Sequence, residues 1–136
     1  MLITLRNNLS EIERLANAVM QFGRENNFSD KVIFDINLAL EEVVNNIISY
    51  AYKDKNEHQI NIHMELEGPE LVLKVEDDGV PFNPLEVPEP NIKKPLEERQ
   101  PGGLGLFFIR NLIDKLEYRR DKDKNIFIIR KKIKDD

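Results

Sequence analysis

Residues 59–79 read QINIHMELEGPELVLKVEDDG and decide the fold of this chain. Apolar and polar residues alternate on both sides of Gly68-Pro69, and alternation with a period of two is typical of strands with one buried face. The Gly-Pro pair marks a turn between these two strands. The stretch therefore predicts an antiparallel hairpin whose second strand ends at Asp77-Asp78-Gly79.

A long helix is predicted before this hairpin. Ser29 or Asp30 can cap it, because both residue types accept hydrogen bonds from the free N–H groups at the start of a helix. Glu42 and Asn46 lie four residues apart within it, so their side chains project side by side. Its apolar stripe at helical spacing consists of Ile33, Ile36, Leu40, Val43, Ile47 and Ala51.

The N-terminal part of the chain predicts a strand and a helix. Residues 2–5 are typical of a short strand, and the periodicity that follows predicts a helix over residues 10–26. Ser10, followed three residues later by Glu13, indicates a capping box at the start of that helix. The apolar residues that recur at helical spacing are Leu9, Ile12, Leu15, Ala16, Val19 and Phe22.

The second half of the chain combines a long loop with a third helix and two closing strands. Residues 79–101 hold six of the seven prolines and show no regular period, which predicts a loop, and loops this long are commonly lids or binding loops. Apolar spacing predicts a helix from Gly103 to Leu116, followed by strands over residues 117–120 and 126–130. The sum predicts an α+β fold, a two-layer α/β sandwich with a mixed, mostly antiparallel sheet and about three helices on one face.

Composition restricts the class of function. A length of 136 residues fits one domain. The 25 acidic and 20 basic residues give a net charge of -5, which argues against a nucleic-acid-binding surface because such surfaces need clustered Lys and Arg. The absence of cysteine excludes disulfides and thiolate metal sites, and no apolar run approaches the roughly 20 residues that span a bilayer. We therefore expect a cytoplasmic protein without membrane contact.

The pair Glu42 and Asn46 combines two kinds of polar chemistry on one helix. A side-chain amide oxygen is a neutral hard ligand suited to Mg²⁺, which takes its other ligands from water and substrate phosphates. A carboxylate one turn away can orient or deprotonate an attacking hydroxyl or water. The alternative is that both side chains lie on an ordinary solvated helix face.

Two further motifs follow along the chain. Asp77, at the end of a strand, can accept a hydrogen bond from an exocyclic amine such as that of adenine, and Gly79 permits close approach of a base; the alternative is an ordinary turn. Residues 102–105 read GGLG and open a helix, where free N–H groups bind phosphate; the alternative is a flexible hinge. Together with the helix pair, these motifs predict a pocket for a purine triphosphate.

The remaining polar candidates lie outside the three motifs. Lys93, Lys94 and Arg99 fall in the predicted lid, where they either reach a terminal phosphate or belong to a charged surface loop. His58 and His63 are predicted to be isolated, because neither has a Cys, Asp or His partner at ligand spacing, so a zinc site is not expected.

The order of these motifs resembles the GHKL superfamily of ATP-binding domains, which includes gyrase, heat-shock chaperone, histidine kinase and mismatch-repair ATPases. In particular, the chain resembles the small stand-alone anti-sigma-factor serine/threonine kinases of bacteria. Residues 41–52 (EEVVNNIISYAY) resemble the N box of that family, residues 75–82 (VEDDGVPF) its G1 box and residues 102–109 (GGLGLFFI) its G2 box. Pro81 replaces the second glycine common in the G1 box, and Tyr50 stands where a histidine is common.

The resemblance covers nearly the whole chain. It implies a single Bergerat-type, histidine kinase-like ATPase domain over residues 1–136, with an ATP lid at residues 79–101. It also implies that Asn46 coordinates Mg²⁺, that Glu42 is the base toward a protein serine, and that Asp77 reads adenine. The residues that it assigns to ATP are Asn46, Asp77, Gly79, Arg99, Gly102, Gly103, Leu104, Gly105 and Leu106.

A function follows from the same resemblance. It implies an ATP-binding anti-sigma factor that phosphorylates a serine or threonine of an anti-anti-sigma partner of the STAS type. Such a protein holds a sigma factor, regulates transcription without contacting nucleic acid, and forms a homodimer. Two alternatives stay open: a non-catalytic, nucleotide-dependent partner-switching module, and a detached histidine-kinase catalytic domain that acts on a separate histidine substrate.

Overall fold

The computed structural model of the protein describes residues 1–83 and 110–133. Within these ranges the chain forms a five-stranded sheet and two α-helices, which confirms the α+β fold class. The strands are β1 (Leu2–Arg6), β2 (Gln59–Glu67), β3 (Glu70–Asp77), β4 (Lys115–Asp121) and β5 (Lys124–Lys132); the helices are α1 (Ile12–Glu25) and α2 (Asp30–Tyr50). In this part of the chain no helix is long and apolar enough to cross a membrane.

The sheet has the strand order β1-β2-β3-β5-β4. All four neighbouring pairs are antiparallel. The sequence had predicted a mixed, mostly antiparallel sheet, whereas the described strands form a purely antiparallel one. The predicted hairpin of β2 and β3 is confirmed, with Glu67 opposite Glu70. Gly68 in its turn has a φ of +63°, in the left-handed region that glycine adopts without steric cost.

One hydrophobic core joins both helices to one face of the sheet. Every residue of the apolar stripe predicted for α2 is buried, and alternate strand residues meet that stripe. The largest fully buried sheet residues are Leu5, Ile60, Ile62, Met64, Leu71, Leu73 and Ile129. Because full burial of one such side chain contributes about 1.5–3 kcal/mol, this layer fixes how α2 lies across the strands. Ser29 caps α2 as predicted, since its hydroxyl accepts a hydrogen bond from the Val32 amide at 3.2 Å.

The start of α1 differs from the predicted capping box. Leu9–Glu11 form a short 3-10 turn, and the side chain of Asn8, not Ser10, caps it by accepting the Ser10 N–H at 3.0 Å. Leu9 is 60% exposed, although its spacing had placed it in the apolar stripe. The tighter turn brings Glu11 inward, where Arg6 Nε and Arg14 Nε each donate to its carboxylate at 2.8 Å. This buried carboxylate and its two arginines link β1 to the first turn of α1.

The predicted third helix does not extend to Leu116. Leu116 lies in β4, opposite Ile129 of β5, and residues 110–112 form a turn. An apolar residue at every second position, as in Leu116 and Tyr118, suits a strand as well as a helix end, and pairing with β5 decides in favour of the strand. Residues 103–109, the first half of the predicted helix, lie outside the described ranges. The structure therefore describes two α-helices where about three were predicted.

Candidate functional site

The end of α2 contacts the segment that follows β3. Ala51, just beyond the helix, donates its N–H to the Ile47 carbonyl at 2.9 Å, and its own carbonyl accepts the Val80 N–H at 2.7 Å. The rings of Tyr50 and Phe82 lie beside this bond with their centroids 5.6 Å apart. The structure thus joins the first two of the three motifs, although 27 positions separate Tyr52 from Gly79 along the sequence.

Gly79 is required by this contact. A Cβ atom at this position would overlap the carbonyl oxygen of Ala51 and lie 2.6 Å from the Ala51 Cβ. The obstacle is main chain and a buried methyl group, neither of which can rotate away. Gly79 therefore allows the turn to pack directly against the end of α2.

We expect Gly79→Ala to lower the free energy of unfolding by about 2–3 kcal/mol, because the added methyl group overpacks a backbone contact. Urea denaturation measures this loss. Gly68→Ala is the matched control: nothing lies within 4 Å of its Cβ position, so it incurs only the left-handed backbone strain of about 1 kcal/mol. Equal losses at the two glycines would show that the contact with Ala51 is not tight.

Asp77 is a buried carboxylate held by two donors. The residue is 4% exposed, and its Oδ1 accepts the Gly79 N–H at 2.8 Å and the Asn125 Nδ2–H at 2.9 Å. Burial raises the pKa of the Asp77 carboxyl, while these two hydrogen bonds oppose the rise. The hydrogen bond from the Gly79 N–H is the one that an ordinary Asp-Gly turn makes. The two interpretations of Asp77, as part of a turn and as a fixed hydrogen-bond acceptor, are therefore compatible. A desolvated, fixed carboxylate of this kind is typical of a ligand site.

Asn125 of β5 completes this turn, and the sequence did not indicate it. It lies opposite Asp77 in the strand register and is 3% exposed. Besides Asp77, its Nδ2 donates to the Val80 carbonyl at 2.8 Å, and its Oδ1 accepts the Phe82 N–H at 3.3 Å. The one available signal was the side-chain amide of Asn125 directly before the apolar run at residues 126–129. The prediction had placed this residue in the turn between the two closing strands.

The β4–β5 hairpin also holds the turn through two side chains of β4. Arg120 Nη1 donates to the Gly79 carbonyl at 2.7 Å and to Asn125 Oδ1 at 3.2 Å. The Tyr118 hydroxyl donates to the same Asn125 oxygen. The turn at Gly79 is therefore fixed from both sides, by the end of α2 and by the last hairpin of the sheet.

Glu42 and Asn46 lie side by side on α2, as their spacing predicted. Asn46 is only 2% exposed and Glu42 is half-buried, so the alternative of an ordinary solvated face is wrong for Asn46. Asn46 Nδ2 lies 3.4 Å from Glu42 Oε1. Burial raises the pKa of the Glu42 carboxyl, and the hydrogen bond from Asn46 opposes this rise. The charge of Glu41 raises the pKa further. A raised pKa makes this carboxylate a stronger proton acceptor near neutral pH.

The oxygen donors on α2 fit a magnesium ion that arrives with a nucleotide. Among residues 1–83 and 110–133 no group of three or more His, Cys, Asp or Glu side chains is arranged to hold a metal ion. Mg²⁺ often takes only one or two protein oxygens and completes its octahedron with water and phosphate oxygens. The Asn46 amide, one turn from the half-buried Glu42 carboxylate, satisfies that requirement. The donor chemistry is therefore compatible with Mg²⁺.

The other predicted site residues lie outside the described ranges. They are Lys93, Lys94, Arg99, Gly102, Gly103, Leu104, Gly105 and Leu106. Of the predicted lid, the structure describes residues 79–83, with the turn at Gly79 and its contacts to Ala51 and Asn125. The assignment of these eight residues stays a prediction.

His58 is not isolated, so that expectation is wrong. Its Nε2 lies 2.7 Å from Asp54 Oδ1, and its Nδ1 lies 3.0 Å from Asp78 Oδ1. Asp54 precedes it by four residues, a spacing the sequence offered, whereas Asp78 becomes a neighbour only through the fold. The ring also stacks on Tyr52, with centroids 4.4 Å apart and planes at 18°. Burial, followed by the charges of Asp77 and Asp78, raises the pKa of the Tyr52 hydroxyl.

Comparison with known proteins agrees with this geometry. A family model described as the histidine kinase-like ATPase domain matches residues 5–131. The chain belongs to this family. The match includes both described motifs, α2 with Glu42 and Asn46 and the turn after Asp77. It confirms the resemblance predicted from the order of the motifs.

The curated relatives of this histidine kinase-like ATPase domain carry kinase and anti-sigma names. It is 29% identical to the serine/threonine-protein kinase BtrW of Bordetella bronchiseptica over 68% of this chain and 66% of that protein. It is 28% identical to an anti-sigma F factor of Clostridium kluyveri, over 73% and 69% respectively. The serine-protein kinase RsbW of Bacillus mycoides is 32% identical, over 69% and 61%. The matches thus span about two thirds of each relative's length.

Solved structures support the fold. The histidine kinase domain of a blue-light activated histidine kinase from Erythrobacter litoralis superposes with a TM-score of 0.55 at 16% identity, over 92% of this chain and 60% of that one. The histidine kinase AdeS of Acinetobacter baumannii gives a TM-score of 0.53 at 16% identity, over 99% and 70%. At this identity the likeness concerns the fold of the histidine kinase-like ATPase domain alone.

Proposed function

We propose that this domain binds ATP with Mg²⁺ and transfers its γ-phosphoryl group to a serine or threonine of a STAS-type anti-anti-sigma partner. The observation that carries the proposal is the buried Asp77 carboxylate, which accepts two hydrogen bonds. It lies in a turn that packs on the end of the helix that bears Glu42 and Asn46. The names of the relatives, which are serine kinases and an anti-sigma factor, favour this function over other activities of the family.

Nucleotide binding would use two parts of the site. Asp77 would accept a hydrogen bond from the exocyclic amine of adenine, and Gly79 would let the base approach the main chain. Asn46 would supply an amide oxygen to Mg²⁺, which when bound would neutralise part of the charge of the phosphate oxygens. We keep the prediction that Gly103 and Gly105 donate backbone N–H groups to phosphate and that residues 79–101 form the lid.

Phosphoryl transfer would depend on Glu42. Its carboxylate would take the proton of the acceptor serine hydroxyl as the serine oxygen bonds to the γ-phosphorus, and the bond from that phosphorus to the bridging oxygen of ADP would break. The half-buried position of Glu42 raises the pKa of its carboxyl, which favours proton acceptance. Positioning and electrostatic stabilisation would supply most of the rate.

The partner relations follow from the same proposal. The protein would hold a sigma factor when the STAS-type partner is phosphorylated, and would release the sigma factor when it binds the unphosphorylated partner instead. It would act in the cytoplasm as a homodimer, without direct contact with nucleic acid. The name of the Clostridium kluyveri relative, an anti-sigma F factor, supports the binding of a sigma factor.

Two measurements test the proposal. Titration calorimetry is expected to show Mg²⁺-dependent binding of ATP and at least roughly tenfold weaker binding of GTP, because the guanine oxygen presents an acceptor where Asp77 needs a donor. Radiolabelled ATP is then expected to label a serine or threonine of a cognate STAS protein. Absence of nucleotide binding would refute the proposal. Full ATP binding without transfer to any cognate partner would favour the non-catalytic partner-switching module.

A further inference from the structure

His58 lies outside the turn that carries Asp77, and its ring stands between two carboxylates. Asp54 contacts its Nε2 from the loop after α2, and Asp78 contacts its Nδ1 from the turn itself. Both aspartates are about half exposed, while only 18% of the His58 side chain is exposed. The histidine therefore joins the loop to the turn through a ring that is itself largely covered.

The protonation state of His58 decides whether both contacts are hydrogen bonds. A neutral imidazole carries one N–H and one lone pair, so one of two facing carboxylates would meet a lone pair. The imidazolium donates from both nitrogens and satisfies both carboxylates. The hydrogen bond to Asp54, followed by the charge and hydrogen bond of Asp78, raises the pKa of His58 against the opposing effect of burial. Geometry and charge thus favour the same protonated state.

The main chain of His58 is anchored independently of its ring. Its N–H donates to Asn7 Oδ1 at 2.9 Å, and its carbonyl accepts the Asn7 N–H at 3.0 Å. A change in the ring's charge will therefore act on the two facing carboxylates, Asp54 and Asp78, and not on the position of residue 58. The titratable groups in contact with the ring are Tyr52, Asp54 and Asp78; those lining the adjoining depression are Glu57, Glu76, Asp77 and Lys124.

We propose that His58 is a positioning residue for the nucleotide site, which holds the Asp78-Gly79 turn in its binding geometry when the imidazole is protonated. The inference rests on the proposed nucleotide binding at Asp77. As pH rises through the pKa of His58, the ring loses one N–H. The contact with Asp54 is the shorter, at 2.7 Å against 3.0 Å for Asp78, so the remaining N–H stays with Asp54, the lone pair faces Asp78, and Asp78 is released. Asp78 lies between Asp77 and Gly79, so its release moves the acceptor for the base. ATP affinity therefore falls as pH rises.

The chain offers a matched control, because His58 and His63 are its two histidines. ATP affinity is measured by calorimetry between pH 5.5 and 8.5 for the wild type, His58→Gln and His63→Gln, and each variant is compared with the wild type at the same pH. This ratio cancels the titration of ATP itself. His58→Gln is expected to bind about fivefold more weakly at the acid end and equally at the alkaline end. His63→Gln should follow the wild type throughout.

NMR provides a readout that does not need ATP. The Gly79 amide signal of the free protein is expected to titrate with the pKa of the His58 ring, and Asp78→Asn should lower that pKa and uncouple the two signals. This second variant keeps the inference testable if His58→Gln does not fold. A Gly79 signal insensitive to His58, or a constant affinity ratio for His58→Gln, would overturn the positioning role. Failure of the wild type to bind ATP at any pH would instead refute the proposed function.

Discussion

Replacing Asp77 with asparagine is expected to weaken ATP binding by at least about 100-fold, the equivalent of about 2.7 kcal/mol, while the fold stays intact. The asparagine oxygen can still accept the hydrogen bonds from Gly79 and Asn125 that Asp77 Oδ1 accepts now. Its NH₂ group, however, places a donor against the exocyclic amine of adenine, which is also a donor. Calorimetric titration with ATP measures the effect.

The same substitution has a predictable effect on stability. Burial raises the pKa of Asp77 above its ordinary 3.8, so the folded protein holds this proton more tightly than the unfolded chain does. The carboxyl therefore contributes its full stability below about pH 3.8, and that contribution is lost as pH rises through the raised pKa. At neutral pH, Asp77→Asn should unfold in urea at the same concentration as the wild type or a higher one.

Asp121→Asn is the control for Asp77→Asn. Asp121 is exposed at the end of β4, and its replacement removes the same formal charge. ATP affinity should change little in this variant. A similar loss of affinity in both variants would attribute the effect to net charge, and unimpaired binding by Asp77→Asn would exclude Asp77 as the base-reading residue.

Replacing Glu42 with glutamine is expected to reduce phosphoryl transfer by at least about 100-fold while ATP affinity stays within about threefold of the wild type. Glutamine keeps the oxygen that faces Asn46 Nδ2 at 3.4 Å, so the Asn46 side chain should keep its position. It cannot accept the proton of the acceptor hydroxyl. Single-turnover transfer from radiolabelled ATP to a STAS-type partner separates the chemical step from binding.

Glu41→Gln supplies the matched control on the same helix. Glu41 is exposed and precedes Glu42 directly, so the two variants share their charge change and differ in the face they occupy. Transfer by Glu41→Gln should stay close to that of the wild type. If Glu42→Gln transfers phosphate as fast as Glu41→Gln, Glu42 is not the base, and the non-catalytic module or another proton acceptor must be considered.

The sequence predicted those parts of the molecule that repeat with a clear period. The β2–β3 hairpin and the buried stripe of α2 were correct because each is a local pattern that burial reinforces. The predicted start of α1 was wrong because a competing local cap formed, and the predicted end of the third helix was wrong because a contact across the fold outweighed local preference. Asn8 supplied the cap in place of Ser10, and pairing with β5 placed Leu116 in a strand.

The candidate site divides in the same way. The neighbouring positions of Glu42 and Asn46, and of Asp77 and Gly79, could be predicted because each pair belongs to a single element. Asn125 could not, because it meets Asp77 across 48 positions of sequence and no local pattern marks such a contact. For the same reason, Asp78 was not recognised as a neighbour of the His58 ring.

The contact between Asp77 and Asn125 has a consequence for the order in which the protein becomes competent. A growing polypeptide that ends before β5 already contains Glu42, Asn46 and Asp77, yet it lacks the amide that fixes the carboxylate and the strand that completes the sheet. Pairing of such distant strands forms late, because the intervening chain must first be ordered. Under the proposed function, ATP would therefore not guide the early stages of folding, and its binding would require the β4–β5 hairpin to be in place.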